Sequence, residues 1–112
     1  MDSFESRLDY MKSLVFNIIS TKGTKIKPAK TKDICFECNI TPRELKRVVS
    51  ELRNDYPIVS KETEEGGYWI ATSEKEIIDF IKMIERRKKG YETTIKIMNI
   101  YLADYGNIPY ID

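Results

Sequence analysis

The sequence predicts an α+β domain that is mostly helical, with one β-hairpin between its helices. Three observations carry this prediction. Apolar residues recur at alternating spacings of four and three over residues 3–20, which is the period of one helix face. Two capping boxes, Thr41–Glu44 and Ser73–Glu76, mark the starts of two later helices. Between those helices, two β-branched or aromatic runs flank a pair of glycines, which is typical of a hairpin.

The first helix is predicted over residues 3–20, and a polar connection follows over residues 21–32. The apolar stripe of the helix consists of Phe4, Leu8, Met11, Val15 and Ile18. The connection carries five lysines: Lys22, Lys25, Lys27, Lys30 and Lys32. We interpret it as a loop with a short strand near residues 24–26.

A short helix, a turn and a well-marked helix come next. Thr31 is predicted to cap the short helix over residues 32–38, with Ile34, Cys35 and Cys38 facing inward. Asn39 tolerates the left-handed conformation and so can end that helix. The capping box with Pro42 at the first helical position then opens a helix that ends before Pro57. Its predicted buried face is Leu45, Val48, Val49 and Leu52.

The hairpin is predicted to pair residues 58–61 with residues 68–71. Its loop carries Glu62, Glu64 and Glu65 beside the glycines. Tyr68 and Trp69 are open to interpretation as a base-stacking pair. Alternation along a strand favours the other interpretation, in which one ring packs beneath the hairpin and the other is partly exposed.

The last helical pattern is a heptad. Its a and d positions are Ile77, Ile81, Ile84, Tyr91, Ile95, Met98, Leu102 and Tyr105. Lys88 is the single polar interruption, and Gly90 costs about 1 kcal/mol in a helix interior, which favours a bend or break there. We therefore predict a domain over residues 1–85 and a helical extension over residues 86–112.

The extension is predicted to pair two copies of the chain. The expected dimerisation residues are Tyr91, Ile95, Met98, Leu102 and Tyr105. Parallel and antiparallel pairing both remain open. The alternative is that the heptad packs on the first helix, and both arrangements are compatible with each other.

Composition excludes several kinds of chemistry. The chain has 112 residues, the size of one domain, and it contains no His. Zinc-hydrolase, Ser-His and Cys-His catalysis are therefore excluded. No pair of carboxylates and no lysine stands out from ordinary surface charge, so we predict a protein that is not an enzyme and needs no cofactor.

Two cysteines and the hydropathy pattern bear on metal binding and location. Cys35 and Cys38 are too few to close a zinc site, and buried packing is favoured over a redox pair. The apolar runs are far shorter than the roughly 20 residues of a membrane span. We expect a cytoplasmic protein with no metal and no membrane contact.

The charges are arranged in blocks although their sum is nearly zero. The whole chain has 19 basic and 18 acidic residues. Residues 22–53 carry 9 basic and 4 acidic groups, a net charge of +5, whereas residues 54–85 carry 3 and 8, a net charge of −5. A basic block that contains the connection and the capped helix is thus followed by an acidic block that contains the hairpin.

Residues 33–73 resemble the winged helix-turn-helix modules of the biotin-repressor type and of many small phage and mobile-element proteins. The resemblance is carried by Ile34-Cys35, the turn Cys38-Asn39-Ile40-Thr41, the helical residues 43–49 with Leu52-Arg53, and the wing segments 57–60 and 66–71. It implies a two-stranded wing and a recognition helix over residues 42–54. The implied function is sequence-specific binding of duplex DNA, as a transcriptional regulator or origin-type binder.

The resemblance also implies which residues touch DNA. The helix face opposite the buried one enters the major groove, so Arg43 and Arg47 can pair with guanine and Lys46 with a phosphate. The connection supplies salt-dependent contacts to the backbone. The full set of expected DNA-binding residues is Thr41, Arg43, Lys46, Arg47, Ser50, Asn54, Lys27, Lys30 and Lys32.

The acidic wing departs from the family, in which the wing tip is often basic. Three carboxylates near phosphates are repelled. Either this wing stays off the DNA, or it contacts a basic protein surface. The second possibility keeps open an alternative function, that of a protein-binding module such as a phage-encoded inhibitor of a host nucleic-acid enzyme.

Overall fold

A computed structural model describes the backbone of residues 3–61, 63 and 65–105, and the side chains from residue 6 onward within these ranges. The described residues form four α-helices and a two-stranded antiparallel sheet, which agrees with the predicted mostly helical α+β class. In chain order the elements are α1 (Ser3–Lys22), α2 (Thr31–Cys38), α3 (Pro42–Leu52), β1 (Ile58–Ser60), β2 (Tyr68–Ile70) and α4 (Glu74–Tyr105). None of the described helices has an apolar stretch long enough to cross a bilayer.

The chain divides into two compact units, Met1–Phe80 and Ile81–Asp112. The core of the first unit is formed by the inward faces of α1, α2, α3 and β1. Its largest fully buried side chains are Val15, Ile19, Ile34, Leu45, Val48, Val49 and Ile58. Full burial of one such side chain stabilises the fold by about 1.5–3 kcal/mol, so this cluster is the main stabilising element of the unit.

The predicted apolar faces of α1 and α3 lie on this core. All four residues of the predicted α3 face are buried, since none of Leu45, Val48, Val49 and Leu52 exposes more than 3% of its surface. On α1, Val15 and Ile18 are buried, and Leu8 and Met11 pack against the core. The side chain of Phe4 lies outside the described residues.

The turn between α2 and α3 is built as the sequence predicts. Asn39 has φ 53°, in the left-handed region. The amide N–H of Ile40 donates to the Cys35 carbonyl at 3.1 Å, and that of Asn39 to the Phe36 carbonyl at 3.4 Å. Together these bonds form a Schellman-type end, which satisfies the last carbonyls of α2 and turns the chain toward α3.

The predicted cap of α2 is wrong. The N-cap residue is Lys30, which makes no side-chain capping bond, and Thr31 is already the first helical residue. The Thr31 side chain instead lies near Tyr68 of the hairpin, where hydrogen bonding from it opposes the rise that burial causes in the pKa of Tyr68. Its hydroxyl also lies so close to Gly66 that a Cβ there would sit 2.7 Å away. The Thr31 hydroxyl, which the local pattern assigns to the cap of α2, therefore makes a tertiary contact with the hairpin.

The hairpin pairs Ile58 with Ile70, Val59 with Trp69, and Ser60 with Tyr68. Its loop uses two left-handed glycines, Gly66 at φ 67° and Gly67 at φ 132°, a conformation that other residues rarely adopt. Trp69 is buried and Tyr68 is half-buried, as strand alternation predicts.

The connection pairs with the hairpin at a different place from the one expected. Residues 25–27 form a bend, so the short strand predicted near residues 24–26 does not occur. Ala29 instead forms an isolated antiparallel bridge with Tyr68, in which each residue donates its N–H to the other's carbonyl at 2.9 Å. The bridge adds a third backbone segment to the open edge of β2 and ties the lysine-rich connection to the hairpin.

Gly23 allows α1 to approach the hairpin closely. A Cβ at this position would lie 2.5 Å from the Tyr68 carbonyl oxygen and 2.8 Å from the Ile19 carbonyl oxygen. Real Cβ contacts are not this short, and both neighbours are backbone atoms that cannot rotate away. The end of α1 is therefore seated against β2 in a way that only glycine permits.

Glu76 is a buried carboxylate that joins the hairpin to the start of α4. Its Oε1 accepts from Trp69 Nε1 at 2.6 Å, and its Oε2 accepts from the Thr72 N–H, the Thr72 hydroxyl and the Ser73 hydroxyl at 2.8–3.0 Å. The Ser73 oxygen accepts the Glu76 N–H at 3.3 Å, which is one half of the predicted capping box. The other half differs, because the carboxylate accepts the backbone N–H of Thr72 rather than that of Ser73.

α4 runs for 32 residues without interruption, so the break predicted at Gly90 does not occur. The neighbourhood of Gly90 is open, with no atom within 4 Å of a Cβ placed there. The Thr94 hydroxyl donates to the Gly90 carbonyl at 3.1 Å, and the Thr93 hydroxyl to the Lys89 carbonyl at 3.0 Å. One glycine costs about 1 kcal/mol, which is too little to interrupt a helix of this length. The part of the predicted extension that follows Tyr105 lies outside the described residues.

We predict that Glu76→Gln destabilises the first unit in a pH-dependent manner. Hydrogen bonds from the Thr72 and Trp69 side chains and the Thr72 backbone lower the pKa of Glu76 to about 2. A lowered pKa means that the stabilisation is full above the ordinary pKa of 4.5 and is lost as the pH falls toward about 2. Denaturant unfolding should be measured at several pH values from 7 down to about 2. We expect the free energy of unfolding of the variant to lie below that of the wild type at pH 7, and the difference to shrink as the pH falls from 4.5 toward about 2.

Glu74→Gln is the matched control for this experiment, because Glu74 lies in the same helical turn and is exposed. Two outcomes would contradict the role assigned to the buried carboxylate. One is a loss in the free energy of unfolding that is equal at pH 7 and at pH 2, and the other is the same loss in both variants.

The two glycines predict opposite effects of the same substitution. Gly23→Ala forces backbone atoms apart and should destabilise the first unit by about 1–3 kcal/mol. Gly90→Ala meets open space in a helix interior and should stabilise α4 by about 1 kcal/mol. Denaturant unfolding measures the first effect, and the thermal loss of helical circular dichroism measures the second. A neutral Gly23→Ala would refute the close approach of α1 to the hairpin.

Candidate nucleic-acid interface

The outward face of α3 collects the cationic residues that the sequence singled out. Successive helical residues are turned by about 100°, so the face opposite Leu45, Val48, Val49 and Leu52 carries residues 43, 46, 47 and 50. All four of these side chains are exposed. The structure therefore brings three positive charges and one hydroxyl together on a single helix face, at the positions Arg43, Lys46, Arg47 and Ser50.

The start of α3 is locked by a complete capping box. The Thr41 hydroxyl accepts the Glu44 N–H at 3.1 Å, and Glu44 Oε1 accepts the Thr41 N–H at 3.0 Å. Pro42 occupies the first helical position, where no N–H is needed. Thr41 is exposed and lies next to the positive end of the helix dipole, where an anion is favoured.

Glu44 does not oppose the cationic face. Its Oε2 lies 3.1 Å from Nη2 of Arg7 on α1. Hydrogen bonding from the Thr41 backbone, followed by bonding from the Thr41 hydroxyl and attraction to Arg7, lowers the pKa of Glu44 below its ordinary value of 4.5. The acidic residue in the first turn of α3 is thus turned to the flank of the helix and paired there.

Sequence reasoning missed Arg7. It lies beside Leu8 at the edge of the α1 stripe, and nothing local predicts a contact with a residue 37 positions later. Arg7 and Arg47 line the same small depression of about 80 Å³ between α1 and α3. Contact between α1 and α3 therefore places Arg7 beside the face, where its charge is paired with Glu44.

Arg53 has a different role from the other basic residues near α3. Its Nε donates to the Ile58 carbonyl at 2.9 Å, and its guanidinium lies 4.9 Å from the centre of the Phe80 ring. Burial lowers the pKa of Arg53. The side chain fastens the end of α3 to β1 and so positions the helix rather than extending its cationic face. Asn54 follows in the turn after α3 and is exposed.

The lysines of the connection form a second cationic group. Lys27 and Lys30 line a depression of about 470 Å³ between α1, the connection and α2, together with Lys22. Lys22 is drawn toward α2 by Glu37, at 2.9 Å. Lys32 is exposed on the first turn of α2. The predicted site residues are thus held as two groups, one on α3 and one around the connection.

Glu65 of the hairpin loop lies beside the connection. Glu65 Oε2 lies 3.5 Å from Lys30 Nζ, and both side chains are more than half exposed. A second depression, of about 500 Å³, is lined by Lys27, Lys30 and Lys61 together with Glu65. At least one carboxylate of the loop is therefore offset by a lysine of the same chain. Glu62 and Glu64, the other two acids predicted for this loop, lie outside the described residues.

The cysteines pack as small apolar residues. Cys35 and Cys38 are both free thiols that are half-buried against the core. Burial raises the pKa of both thiols, and the nearby carboxylates Glu44 and Glu37 raise them further. Within the part of the chain that the structure describes, no group of three or more Cys, Asp or Glu side chains is placed to hold a metal ion.

The residues predicted to mediate dimerisation lie in the second unit and are exposed. Tyr91, Ile95, Met98, Leu102 and Tyr105 each expose more than half of their surface. Tyr101 and Ile97 widen this apolar stripe to one side, a feature that the heptad positions alone do not include.

No protein-family model, curated protein or solved structure matches this chain.

Proposed function

We propose that the first unit is a winged helix-turn-helix that binds duplex DNA, with α3 in the major groove. The observation that carries the proposal is the outward face of α3, where Arg43, Lys46 and Arg47 are exposed on a helix whose other face is fully buried. The element order supports the proposed fold, because a helix, a tight turn, a capped helix and a hairpin follow one another as in that fold.

The dimensions of α3 suit the groove. Its 11 residues span about 16 Å, and the major groove, about 12 Å wide, admits one α-helix. Arg43 and Arg47 are four residues apart and so stand above one another on one face. Either guanidinium can donate two hydrogen bonds to a guanine, and Lys46 at the edge of the face suits a phosphate.

The connection contributes affinity without sequence preference. Lys27, Lys30 and Lys32 are exposed, and each phosphate that they neutralise releases counterions and makes binding depend on salt. The pairing of Glu65 with Lys30 limits this contribution, since that lysine already has an anionic neighbour. In this proposal α3 therefore makes the base contacts that give sequence specificity, and the acidic hairpin does not contact the DNA.

Removing the two arginines tests the assignment. Arg43→Ala with Arg47→Ala should weaken binding to a preferred duplex by roughly 10- to 100-fold for each arginine that pairs with a base, and should bring preferred and unrelated duplexes closer in affinity. Fluorescence anisotropy with duplexes from the region upstream of the coding sequence, at about 50 and about 200 mM salt, measures both effects.

The matched control removes two exposed cations from α4, Lys75→Ala with Lys82→Ala, and should leave sequence preference unchanged. If the double variant loses affinity equally for all duplexes, the arginines contact the phosphate backbone and do not contact the bases. A wild-type protein with no DNA affinity at the lower salt concentration would overturn the proposal and favour a protein partner instead.

A further inference from the structure

The second unit presents a long apolar stripe to solvent. Leu102 exposes 71% of its surface and Tyr91 exposes 68%. The other large members are Ile81, Ile84, Ile95, Met98, Tyr101 and Tyr105. Because large side chains carry about 150–250 Å² each, their exposed parts together reach the roughly 800 Å² that each partner contributes to a standard protein interface.

The stripe has the period of a coiled-coil seam. From Ile81 onward the seam positions are separated by alternating steps of three and four residues, and Lys88 takes the one seam position that is not apolar. The polar residues Glu85, Arg87, Glu92, Thr94 and Asn99 fall on the two flanks of the seam, where they would meet the flanks of a neighbouring helix.

We propose that two copies of the chain pair through residues 81–105 as a parallel, in-register coiled coil. The charged residues on the flanks favour the parallel orientation of the two helices over the antiparallel one. In a parallel pair, Arg87 of one copy faces Glu92 of the other, so two opposite-charge contacts form across the seam. In an antiparallel pair, each flank meets the same flank of the other copy, so Arg87 and Glu92 lie on different sides of the interface and cannot pair across the seam.

Lys88 fixes the register. Its Nζ lies 4.0 Å from Glu92 of the same helix, so the ammonium group is drawn to the flank and its aliphatic stem covers the seam. In register, the two Lys88 side chains lie at the same level, each beside a Glu92. A slipped register would set Lys88 against an apolar residue and separate Arg87 from Glu92 of the second copy. A single lysine in a seam therefore specifies alignment at some cost in affinity.

Charge reversal tests the direction of pairing. Arg87→Glu and Glu92→Arg, made separately in the full chain, should each weaken the dimer roughly tenfold, because two attractive contacts become repulsive. The double variant should recover most of the wild-type affinity. Lys96→Glu is the matched control, since it reverses one exposed charge of the same helix away from the seam. Sedimentation equilibrium measures the dissociation constants in the absence of DNA.

Polar substitution tests the seam itself. Ile95→Asn with Leu102→Asn should yield a monomer, whereas Ile100→Asn, on the opposite side of the helix and similarly exposed in the single chain, should leave the dimer intact. Circular dichroism checks that each variant keeps its helix content.

Three results would overturn the proposal: a wild-type chain that stays monomeric at all concentrations, an assembly other than a dimer, or a double charge variant no tighter than the single ones. Because the mass is measured without DNA, this outcome is independent of the proposed DNA binding.

Discussion

Asn39 in the left-handed conformation and the capping box that follows it set the direction in which α3 leaves α2. The Schellman-type bonds close α2, and two residues later Thr41 and Glu44 satisfy the first donors of α3. The turn is so short that the rotation of α3 about its axis is determined there. That rotation buries Leu45 and Val48, and it directs Arg43 and Arg47 to solvent. The proposed DNA interface depends on this one turn.

The distribution of ion pairs explains how a nearly neutral chain presents a cationic face. Several carboxylates of the first unit are engaged by cations of the same chain: Glu44 by Arg7, Glu37 by Lys22, and Glu65 by Lys30. These exposed pairs add little to stability. Their effect is on the local potential, because they offset negative charge around α3 and the connection. Arg43 and Lys46 on the outward face of α3 are not among the cations that these three pairs use.

Much of the fold follows from local signals, whereas most of the errors and omissions involve contacts between distant residues; the break predicted at Gly90 is the exception, since α4 is continuous there. The capping box of α3, the left-handed Asn39 and the helical stripes act within a few residues, so their positions are predictable. The local pattern assigns Thr31 to a helix cap, but its hydroxyl lies against Gly66 of the hairpin loop, 35 positions away. The contacts of Arg7, Arg53 and Glu76 likewise depend on packing that no local pattern encodes. The sequence thus predicts the exposed face of α3 but not the contacts that position it.

Chemical-shift mapping tests the proposed DNA interface most directly. In an amide ¹H–¹⁵N titration of the labelled protein with a short DNA duplex, we expect the largest shifts on residues 41–50 and on the connection around Lys27 and Lys30. Residue 63 and the start of α4 should remain nearly unchanged. Shifts centred on the hairpin loop, with residues 41–50 unaffected, would contradict the assignment of α3 as the recognition helix.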